Sequence, residues 1–356
     1  MKKVLERVIE HNAALEKEMG FDWRSTWSRA VPDPAGSVVM EISRKEILER
    51  VASGVEGFDL LSSGDGEVVL RSTEGIGVTF RLAGSSGGKV LWVVSSVADL
   101  RRGPDHGAEL ITQAIMGETL TPLEHRGDWF FVRMDDDYHG WVRSWYVAET
   151  DSGEVSSFLS SADSRIEASV AYVLSAPVPA SIPVTDVTAG TPVKTGVRQG
   201  DLIEVALPGG KAGYVVVSAL ESPALSSSLR ERIIERAAHF AGITYVWGGT
   251  CGKGFDCSGL IKRVFLMEGM SLPRDADQQS AVGARIPLGE VDRALAGDLL
   301  FFGENGRITH VAIAMGDGRF IHAYGDVRVN SYRPGDPLFE EKLAGKLLFA
   351  TRPIEG

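Results

Sequence analysis

The sequence Gly254-Phe255-Asp256-Cys257-Ser258-Gly259-Leu260 places a cysteine between a glycine-rich loop and the start of a helix. Apolar residues then recur at the spacing of one buried helix face, at Leu260, Ile261, Val264 and Phe265. Asp256 can cap this helix, and Gly269 stands where it is expected to end. The positive end of the helix dipole favours thiolate at Cys257. A structural, buried cysteine is the alternative, and residues later in the chain favour the nucleophile.

Composition and charge restrict the class of protein. A chain of 356 residues suggests two or three domains. The formal net charge of -11 argues against nucleic acid or an anionic membrane surface as the main partner. The N-terminus has no signal-peptide pattern, and no segment approaches the ~20 apolar residues of a membrane helix. We therefore expect a cytoplasmic protein without membrane insertion, or a periplasmic or secreted one if a signal was removed.

The first 87 residues combine helices with short strands. The pattern predicts helices over 2–19 and 45–52, a Pro/Gly break at Pro32, Pro34 and Gly36, and strands separated by Gly/Ser turns from Glu67 onward. Residues 1–87 form either an α/β region of their own or a part of the domain that follows. Their role cannot be assigned from the sequence.

The middle of the chain contains a degenerate repeat. Three anchors of the first copy, Gly117, Gly127-Asp128 and Gly140-Trp141-Val142, recur 73 residues later as Gly190, Gly200-Asp201 and Gly213-Tyr214-Val215. A constant offset across three anchors indicates a true repeat. Short strands, a Gly-Asp turn and a final Gly-aromatic-Val strand are what a small closed β-barrel needs. Both copies resemble bacterial SH3-like domains, at 88–150 and 163–221.

A third domain is predicted over residues 229–356. Ser222 to Ser228 is interpreted as a linker, and Ser228-Leu229-Arg230-Glu231 as a capping box that opens a helix. Strands are predicted after the cysteine helix, at 299–302, 310–315 and 320–323.

Two histidines in neighbouring strands could complete a catalytic site. His310 opens one predicted strand, and His322 lies in the next strand beyond the turn Gly316-Asp317-Gly318. A two-residue loop would place them on opposite faces of the sheet, whereas a three-residue loop with glycine in the left-handed position would place them on one face. Cys257 would then attack a carbonyl carbon, His310 would move the proton, and His322 would orient His310.

Metal binding is the weaker interpretation of these residues. The two cysteines, Cys251 and Cys257, exclude a disulfide framework and form no close ligand pair with His310 and His322. The run Asp135-Asp136-Asp137 is better explained as a loop tip with solvated charges. We therefore predict no metal and no cofactor.

Several blocks of the third domain resemble the NlpC-type cysteine peptidases. They are Tyr245-Val246-Trp247-Gly248-Gly249, Phe255-Asp256-Cys257-Ser258-Gly259-Leu260, Leu272-Pro273-Arg274, Gly297-Asp298-Leu299, His310-Val311-Ala312-Ile313 and Ile321-His322-Ala323. The resemblance covers about residues 229 to 353 and implies an α+β fold, a papain-like NlpC-type domain preceded by two SH3-like β-barrels. It also implies Cys257 as nucleophile, His310 as base and His322 as the third polar residue. Glycine is more usual where Ala312 stands.

Two SH3-like domains before such a domain resemble the subgroup that cleaves murein peptides after γ-D-glutamate when their N-terminal L-Ala is free. In that subgroup an acid and a tyrosine bind the terminal ammonium, and the best-matching positions are Glu109 and Tyr138. For Glu109 the alternative is a solvated strand residue. Tyr245, Asp256 and Ser258 resemble contacts to the L-Ala and D-Glu portion, although Asp256 could serve only as an N-cap.

The resemblance predicts a γ-D-glutamyl-L-diamino acid endopeptidase of peptidoglycan recycling. Two alternatives stay open at this point: a wall-binding protein that uses its SH3-like surfaces, and a papain-like acyltransferase or amidase. The sequence does not choose between diaminopimelate and lysine after D-Glu.

Overall fold

The computed structural model describes residues 2–32, 37–64, 66–83, 88–178, 180–222, 226 and 228–354. The predicted break at Pro34 and Gly36 and most of the predicted linker, including Pro223, lie outside these residues. The chain divides into two compact units. The first is Met1–Leu91, Thr119–Trp141 and Glu149–Gly153, and the second is Trp92–Glu118, Val142–Ala148 and Glu154–Gly356.

The N-terminal region forms one sheet with two helices. Its elements are α1 (Lys2–Glu18), β1 (Ser28–Pro32), β2 (Val38–Ile42), α2 (Lys45–Ala52), β3 (Phe58–Gly64), β4 (Glu67–Ser72) and β5 (Gly77–Leu82). The strand order is β1-β2-β5-β4-β3, with β2 and β5 parallel. Both helices pack their apolar faces on this sheet, with Val8 and Ile47 against Phe80 in one core cluster. The helices therefore form where the apolar periodicity predicts them.

The same unit joins this region to part of the first repeat copy. The backbone N–H of His139 donates to the Arg24 carbonyl at 2.9 Å, and Arg133 donates to the Ser43 carbonyl. Arg44 forms an ion pair with Asp137. The interpretation of Asp135-Asp136-Asp137 as wholly solvated is therefore wrong for Asp137, which has a cationic partner.

The repeat is present element by element. The first copy contains β6 (Lys89–Val93), β7 (Val97–Arg101), β8 (Leu110–Ile115), β9 (Thr119–Arg126), β10 (Trp129–Arg133), β11 (His139–Arg143) and β12 (Val147–Asp151). After α3 (Ser152–Ser161) and β13 (Ser164–Arg165), the second contains β14 (Val170–Leu174), β15 (Pro183–Thr188), β16 (Pro192–Gln199), β17 (Leu202–Ala206) and β18 (Ala212–Val216). Strands β7 to β11 recur as β14 to β18 at the predicted offset of 73. The turn glycines Gly117 and Gly190 share a left-handed conformation, with φ of 99° and 96°.

The two copies are distributed differently between the compact units. The second copy is a six-stranded sheet of order β13-β16-β17-β18-β14-β15, wholly within the second unit. Of the first copy, the hairpin β7–β8 belongs to the second unit and the hairpin β9–β10 to the first. The predicted domain boundaries at 88–150 and 163–221 stay predictions.

The C-terminal region packs helices on one antiparallel sheet. Its elements are α4 (Leu229–His239), β19 (Thr250–Cys251), β20 (Gly254–Phe255), α5 (Cys257–Met267), α6 (Ala276–Gln279), β21 (Ala284–Pro287), β22 (Leu299–Glu304), β23 (Arg307–Gly316), β24 (Arg319–Tyr324), β25 (Asp326–Ser331), α7 (Glu341–Ala344) and β26 (Leu347–Arg352). The sheet order is β21-β26-β22-β23-β24-β25. The predicted apolar face of α5 is fully buried against this sheet, from Leu260 to Phe265. Burial of this stripe positions the helix that carries the cysteine.

Two local predictions for this region need correction. Strand β23 begins at Arg307, three residues before His310, because Arg307 already pairs with Glu304 across a turn. Helix α4 begins at Leu229 as predicted, but the Ser228 side chain makes no capping hydrogen bond. Only its carbonyl serves the helix, accepting from Arg232 N at 3.0 Å. Among the described residues, the helices are too short or too polar to cross a bilayer.

Candidate active site

Cys257 is the first residue of α5, held there by a tight cap. The Asp256 Oδ1 atom accepts from Gly259 N at 2.7 Å, and its Oδ2 atom accepts from Gly248 N at 2.9 Å. A Cβ atom on Gly259 would lie 2.1 Å from the Gly249 carbonyl oxygen, so the helix start and the preceding loop touch only because this residue is glycine. The backbone N–H of Cys257, in the first turn, needs no intrahelical acceptor and can donate to an oxyanion.

The thiol of Cys257 is held neutral. Burial raises its pKa to about 12, and the charge of Asp256 acts in the same direction. Hydrogen bonds from the backbone of Val311 and Ser258, together with the charge of Arg274, lower the pKa by less. Desolvation therefore opposes the stabilisation of the thiolate that the helix dipole is expected to give, and the predicted thiolate stays a prediction.

The structure brings His310 and His322 together. The Nε2 atom of His310 lies 2.7 Å from Nδ1 of His322, and the two side chains are almost completely buried. The thiol accepts a hydrogen bond from Val311, the residue after His310 in β23, so Cys257 lies beside the strand that carries the base. These contacts assemble the three predicted catalytic residues at one place.

The hairpin between the histidines combines the two loop types that the sequence left open. Gly316 pairs with Arg319, so the loop has two residues, Asp317 and Gly318, with φ of 51° and 80°. A bulge then shifts the register, and Ala314 pairs with Phe320. The bulge supplies the one-residue shift that a three-residue loop would also have given, so both histidines share one face.

Asn330 fixes the tautomer of the histidine pair. Its Nδ2 atom donates to the Leu338 carbonyl at 3.2 Å, so its Oδ1 atom is the one that faces His322 Nε2, at 2.9 Å. His322 must then donate through Nε2 and accept through Nδ1, and His310 must donate through Nε2. The remaining nitrogen of His310, Nδ1, is left without a proton. This nitrogen can accept the proton of a thiol.

Both imidazoles are neutral in the free enzyme. Burial, and secondarily the repulsion that a protonated His322 would exert, lowers the pKa of His310 to about 3. Burial lowers the pKa of His322 to about 4, although the bond to Asn330 opposes the shift. With the base and the thiol both neutral, we expect the thiol proton to be transferred during attack on the substrate.

Sequence reasoning missed the role of Arg274, which organises the other side of the cysteine. This side chain is 2% exposed, and its guanidinium binds both Asp256 oxygens and the Ser258 hydroxyl, the latter at 2.8 Å. Its Nε atom donates to Thr112 Oγ1 at 3.0 Å. Both carboxylate oxygens of Asp256 thus already accept hydrogen bonds, from Gly259 N at the helix start, from Gly248 N and from Arg274. Its predicted contact with substrate stays a prediction, as does that of Ser258.

Both missed residues have a signal in the sequence. Arg274 belongs to the Leu272-Pro273-Arg274 block, although the block by itself indicates no chemistry for it. Asn330 follows from extending the register argument one strand further. His322 pairs with Arg328 across the β24–β25 hairpin, so Asn330 lies two residues beyond it on the same face.

Glu109 reaches the loop that precedes the cysteine. Its Oε1 atom accepts from Trp247 Nε1 at 3.0 Å, and its Oε2 atom pairs with Arg102 at 2.8 Å. Gln113 of strand β8 contacts the same loop. Its side-chain oxygen accepts from the Thr250 backbone N–H, and its carbonyl accepts from the Thr250 hydroxyl. Each Glu109 oxygen keeps a further lone pair, so the carboxylate can still accept from an ammonium group.

Tyr138 lies in the other compact unit, just before β11. Its side chain is 4% exposed, and its backbone N–H donates to Asp136 Oδ1 at 3.3 Å. The predicted contact of Tyr138 with the substrate ammonium stays a prediction.

Tyr245 lies near the thiol and stays protonated. Burial raises its pKa, and the nearby Cys257 and Asp256 act in the same direction. A protonated phenol at this position can donate to a substrate oxygen. Within the described residues, no three His, Cys, Asp or Glu side chains are grouped as a metal ion would need.

Comparison with known proteins gives two family matches. Residues 242–346 match the NlpC/P60 family, and residues 100–144 match the bacterial dipeptidyl-peptidase Sh3 domain. The chain is 28% identical over 252 residues to gamma-D-glutamyl-L-lysine dipeptidyl-peptidase of Bacillus subtilis, covering 65% of this chain and 78% of that protein. It is also 28% identical over 274 residues to dipeptidyl-peptidase 6 of Lysinibacillus sphaericus, covering 71% and 95%.

A solved structure supports the fold. The crystal structure of an NlpC/P60 family protein from Bacillus cereus superposes with a TM-score of 0.61 at 21% identity, covering 75% of this chain and all of that one. A half-buried thiol beside a strand-borne histidine pair defines a cysteine peptidase. Residues 242–346 carry the match to the NlpC/P60 family, and the match to the bacterial dipeptidyl-peptidase Sh3 domain precedes them at residues 100–144.

Proposed function

We propose that the chain hydrolyses the bond between γ-D-glutamate and an L-diamino acid in murein peptides that carry a free N-terminal L-Ala. The products are L-Ala-γ-D-Glu and a peptide or amino acid that begins with the diamino acid. The names of the relatives from Bacillus subtilis and Lysinibacillus sphaericus support this activity. The observation that carries the proposal is the hydrogen bond from Trp247 to Glu109, because it links a carboxylate of an SH3-like segment to the catalytic loop.

The contact explains a preference for short acyl groups. A free L-Ala offers an ammonium two residues before the scissile bond, and a carboxylate is the group that would bind it. The loop between Trp247 and Cys257 is held rigid through Gly248 and Asp256. A rigid loop sets the distance between Glu109 and the nucleophile, which selects a dipeptide.

The chemistry follows from the neutral Cys–His pair. The Cys257 sulfur attacks the γ-carbonyl carbon while its proton passes to His310 Nδ1. The backbone N–H of Cys257 stabilises the oxyanion. The C–N bond breaks as His310 gives its proton to the leaving amine, which leaves a thioester. Water, deprotonated by His310, then hydrolyses the thioester and restores the thiol.

A role in recycling within the cytoplasm is part of the proposal. Both cysteines are free thiols in the structure, which suits a reducing compartment. Cell fractionation with an antibody against the chain tests this part separately.

The activity is tested by hydrolysis of L-Ala-γ-D-Glu-diaminopimelate beside the same peptide with an acetylated N-terminus. We expect release of L-Ala-γ-D-Glu from the free peptide, and a loss of at least about 1,000-fold in Cys257→Ala. Cys251→Ala is the matched control, because the other cysteine is buried and its thiol donates to Gln113 Oε1 at 3.5 Å. It should keep its activity.

Other outcomes would separate the alternatives. Equal cleavage of both peptides would remove the Glu109 and Tyr138 assignment and keep the peptidase. Transfer of the acyl group to an added amine, without hydrolysis, would favour an acyltransferase. No reaction with either peptide, together with sedimentation on purified wall material, would favour a binding protein.

A further inference from the structure

A cavity of about 390 Å³ opens beside the catalytic base. His310, Tyr245 and Tyr324 line one part of it, and Thr309, Phe302, Gly325, Lys342, Leu343 and Lys346 complete the lining. Neither the residues around Glu109 nor Asp256 and Ser258 take part. Of the residues assigned to the acyl part of the substrate, Tyr245 is the one that also lines the cavity, so the two sites adjoin at this tyrosine.

The position beside His310 indicates what the cavity receives. His310 must deliver a proton to the leaving nitrogen, so the residue that carries this nitrogen has to lie next to the imidazole. The acyl part extends from Cys257 toward Trp247 and Glu109. We therefore assign this cavity to the diamino acid that leaves.

The charge of the cavity is positive. Its lining contains two lysines and no aspartate or glutamate, and His310 is neutral. Lys346 pairs at 2.6 Å with Glu304, which does not line the cavity. Over the part of the chain that the structure describes, Lys342 has no ion pair, and its side chain is exposed at the mouth.

We propose that Lys342 and Lys346 form a carboxylate-binding subsite for the leaving residue, which makes the enzyme prefer diaminopimelate to lysine. This inference rests on the proposed function. A lysine residue would bring a third ammonium toward two others, whereas diaminopimelate carries a carboxylate on the same carbon as its distal ammonium. The added carboxylate can bind the lysines through charge-assisted hydrogen bonds. The Bacillus subtilis relative is named for L-lysine, so the preference distinguishes this chain from it.

Three substrates isolate the carboxylate: L-Ala-γ-D-Glu followed by diaminopimelate, by diaminopimelate with its distal carboxyl amidated, or by L-lysine. The amide keeps the size and the ammonium and removes only the negative charge. We expect kcat/KM to be about two- to fivefold higher for free diaminopimelate than for the other two, the range for partly exposed charge pairs. The difference should lie mainly in KM and should shrink in added KCl.

Substitution assigns the preference to the two lysines. In the double variant K342Q/K346Q, the three substrates should be cleaved with nearly equal kcat/KM, and Lys342→Arg should retain the preference. Lys194→Gln is the matched control, an exposed lysine on β16 of the second repeat copy. Its substrate preference should be that of the wild type.

Two results would overturn the subsite. One is equal kcat/KM of the wild-type enzyme for all three substrates, and the other is an undiminished preference in K342Q/K346Q. In both cases the peptidase activity itself stands. Failure of the wild-type enzyme to cleave any of the three substrates would instead overturn the proposed function, and the subsite with it.

Discussion

The two repeat copies have corresponding strands, but the side chains at corresponding positions make different contacts to the catalytic loops. Strand β8 of the first copy and the residue before it present Glu109, Thr112 and Gln113 to the catalytic loops. The positions 73 residues later are Ile182, Thr185 and Asp186. Ile182 is 79% exposed, and the Thr185 hydroxyl donates to the carbonyl of the neighbouring Asp186. The first copy therefore bonds to the catalytic loops at all three positions, whereas at these positions the second copy contacts them through the ion pair of Asp186 with Lys253.

The second copy also contacts the catalytic domain through buried charges, away from the catalytic loops. Glu167 pairs with Arg236 of α4 at 2.6 Å, and both side chains are nearly inaccessible. Arg236 also binds Glu268 at the end of α5, and Arg165 donates to the Met267 carbonyl at 2.8 Å. These contacts hold the ends of the two helices without touching Cys257. The comparison indicates that the first copy shapes the site and the second supports its scaffold.

The largest effect is expected from Glu167→Gln in the second copy. The substitution leaves the buried Arg236 with one carboxylate fewer, which should lower the free energy of unfolding by about 3 kcal/mol. Urea unfolding followed by fluorescence measures this. The kcat/KM of the folded enzyme should stay within about twofold of wild type. A large loss of kcat/KM at full stability would contradict the division of roles.

Lowering the pH below 6.5 should reduce the stability of the fold through the buried histidines of the active site, and not through the ion pair of Glu167 with Arg236. The pKa values of His310 and His322 lie near 3 and 4 in the folded state, below the ordinary 6.5. Below pH 6.5 the unfolded chain therefore binds more protons, and stability that is complete above pH 6.5 is lost as the pH falls toward the folded values. For one such histidine the loss at pH 5 is about 2 kcal/mol.

Urea unfolding at pH 7 and pH 5 tests this assignment. His310→Asn should reduce the difference between the two pH values. Glu167→Gln should leave it unchanged, because this substitution removes none of the histidines whose pKa values burial lowers. Equal pH dependence in wild type and His310→Asn would show that the lost stability comes from other histidines, such as His139, whose pKa burial lowers to about 4.

A smaller effect should follow Thr112→Val in the first copy. The substitution keeps the shape and removes the acceptor of Arg274 Nε, a buried charged donor, at a cost of about 2 kcal/mol. Because Arg274 holds Asp256 and Ser258, we expect kcat to fall as well. Thr185→Val, at the corresponding position of the second copy, is the matched control and should change stability and activity little. Equal effects of the two variants would contradict the conclusion that the first copy shapes the site more than the second does.

The repeat and the cysteine helix were predictable because they depend on local patterns. Constant spacing gives the repeat, and the capping residue with the apolar stripe gives α5. Whether His310 and His322 lie on the same face of the sheet depended on the length of the loop between their strands. The sequence was compatible with a loop of two or of three residues. A bulge after Ala314 settled it, and bulges of this kind have no clear sequence signal.

The electrostatics of the site could not be predicted in the same way. The pKa of Cys257 depends on how much water the surrounding domain excludes, which only the packed structure reveals. The same holds for Arg274, whose partners Thr112 and Asp256 are far apart in sequence. Long-range contacts between segments decide both.

Glu109→Gln should have a moderate effect that depends on the substrate. The amide still accepts from Trp247 but no longer offers a charge to the L-Ala ammonium. We expect kcat/KM for the free peptide to fall about tenfold, or about 1.4 kcal/mol. Slow cleavage of the acetylated peptide should not change. The ratio of the two rates is the measurement, and an equal fall for both peptides would assign Glu109 a structural role only.

The smallest effect is expected from Asp186→Asn, the counterpart of Gln113. Asp186 accepts from Ser96 at 3.0 Å and pairs with Lys253, whose side chain is 42% exposed. An exposed pair of this kind contributes at most about 1 kcal/mol, so stability should change by less than that, and kcat/KM should not change. Gln113→Ala would remove the acceptor of Thr250 N and should cost more, because that bond holds the loop before Cys257. If the two substitutions had the same effect on kcat/KM, the second copy would also belong to the site, and the difference between the copies would be one of degree.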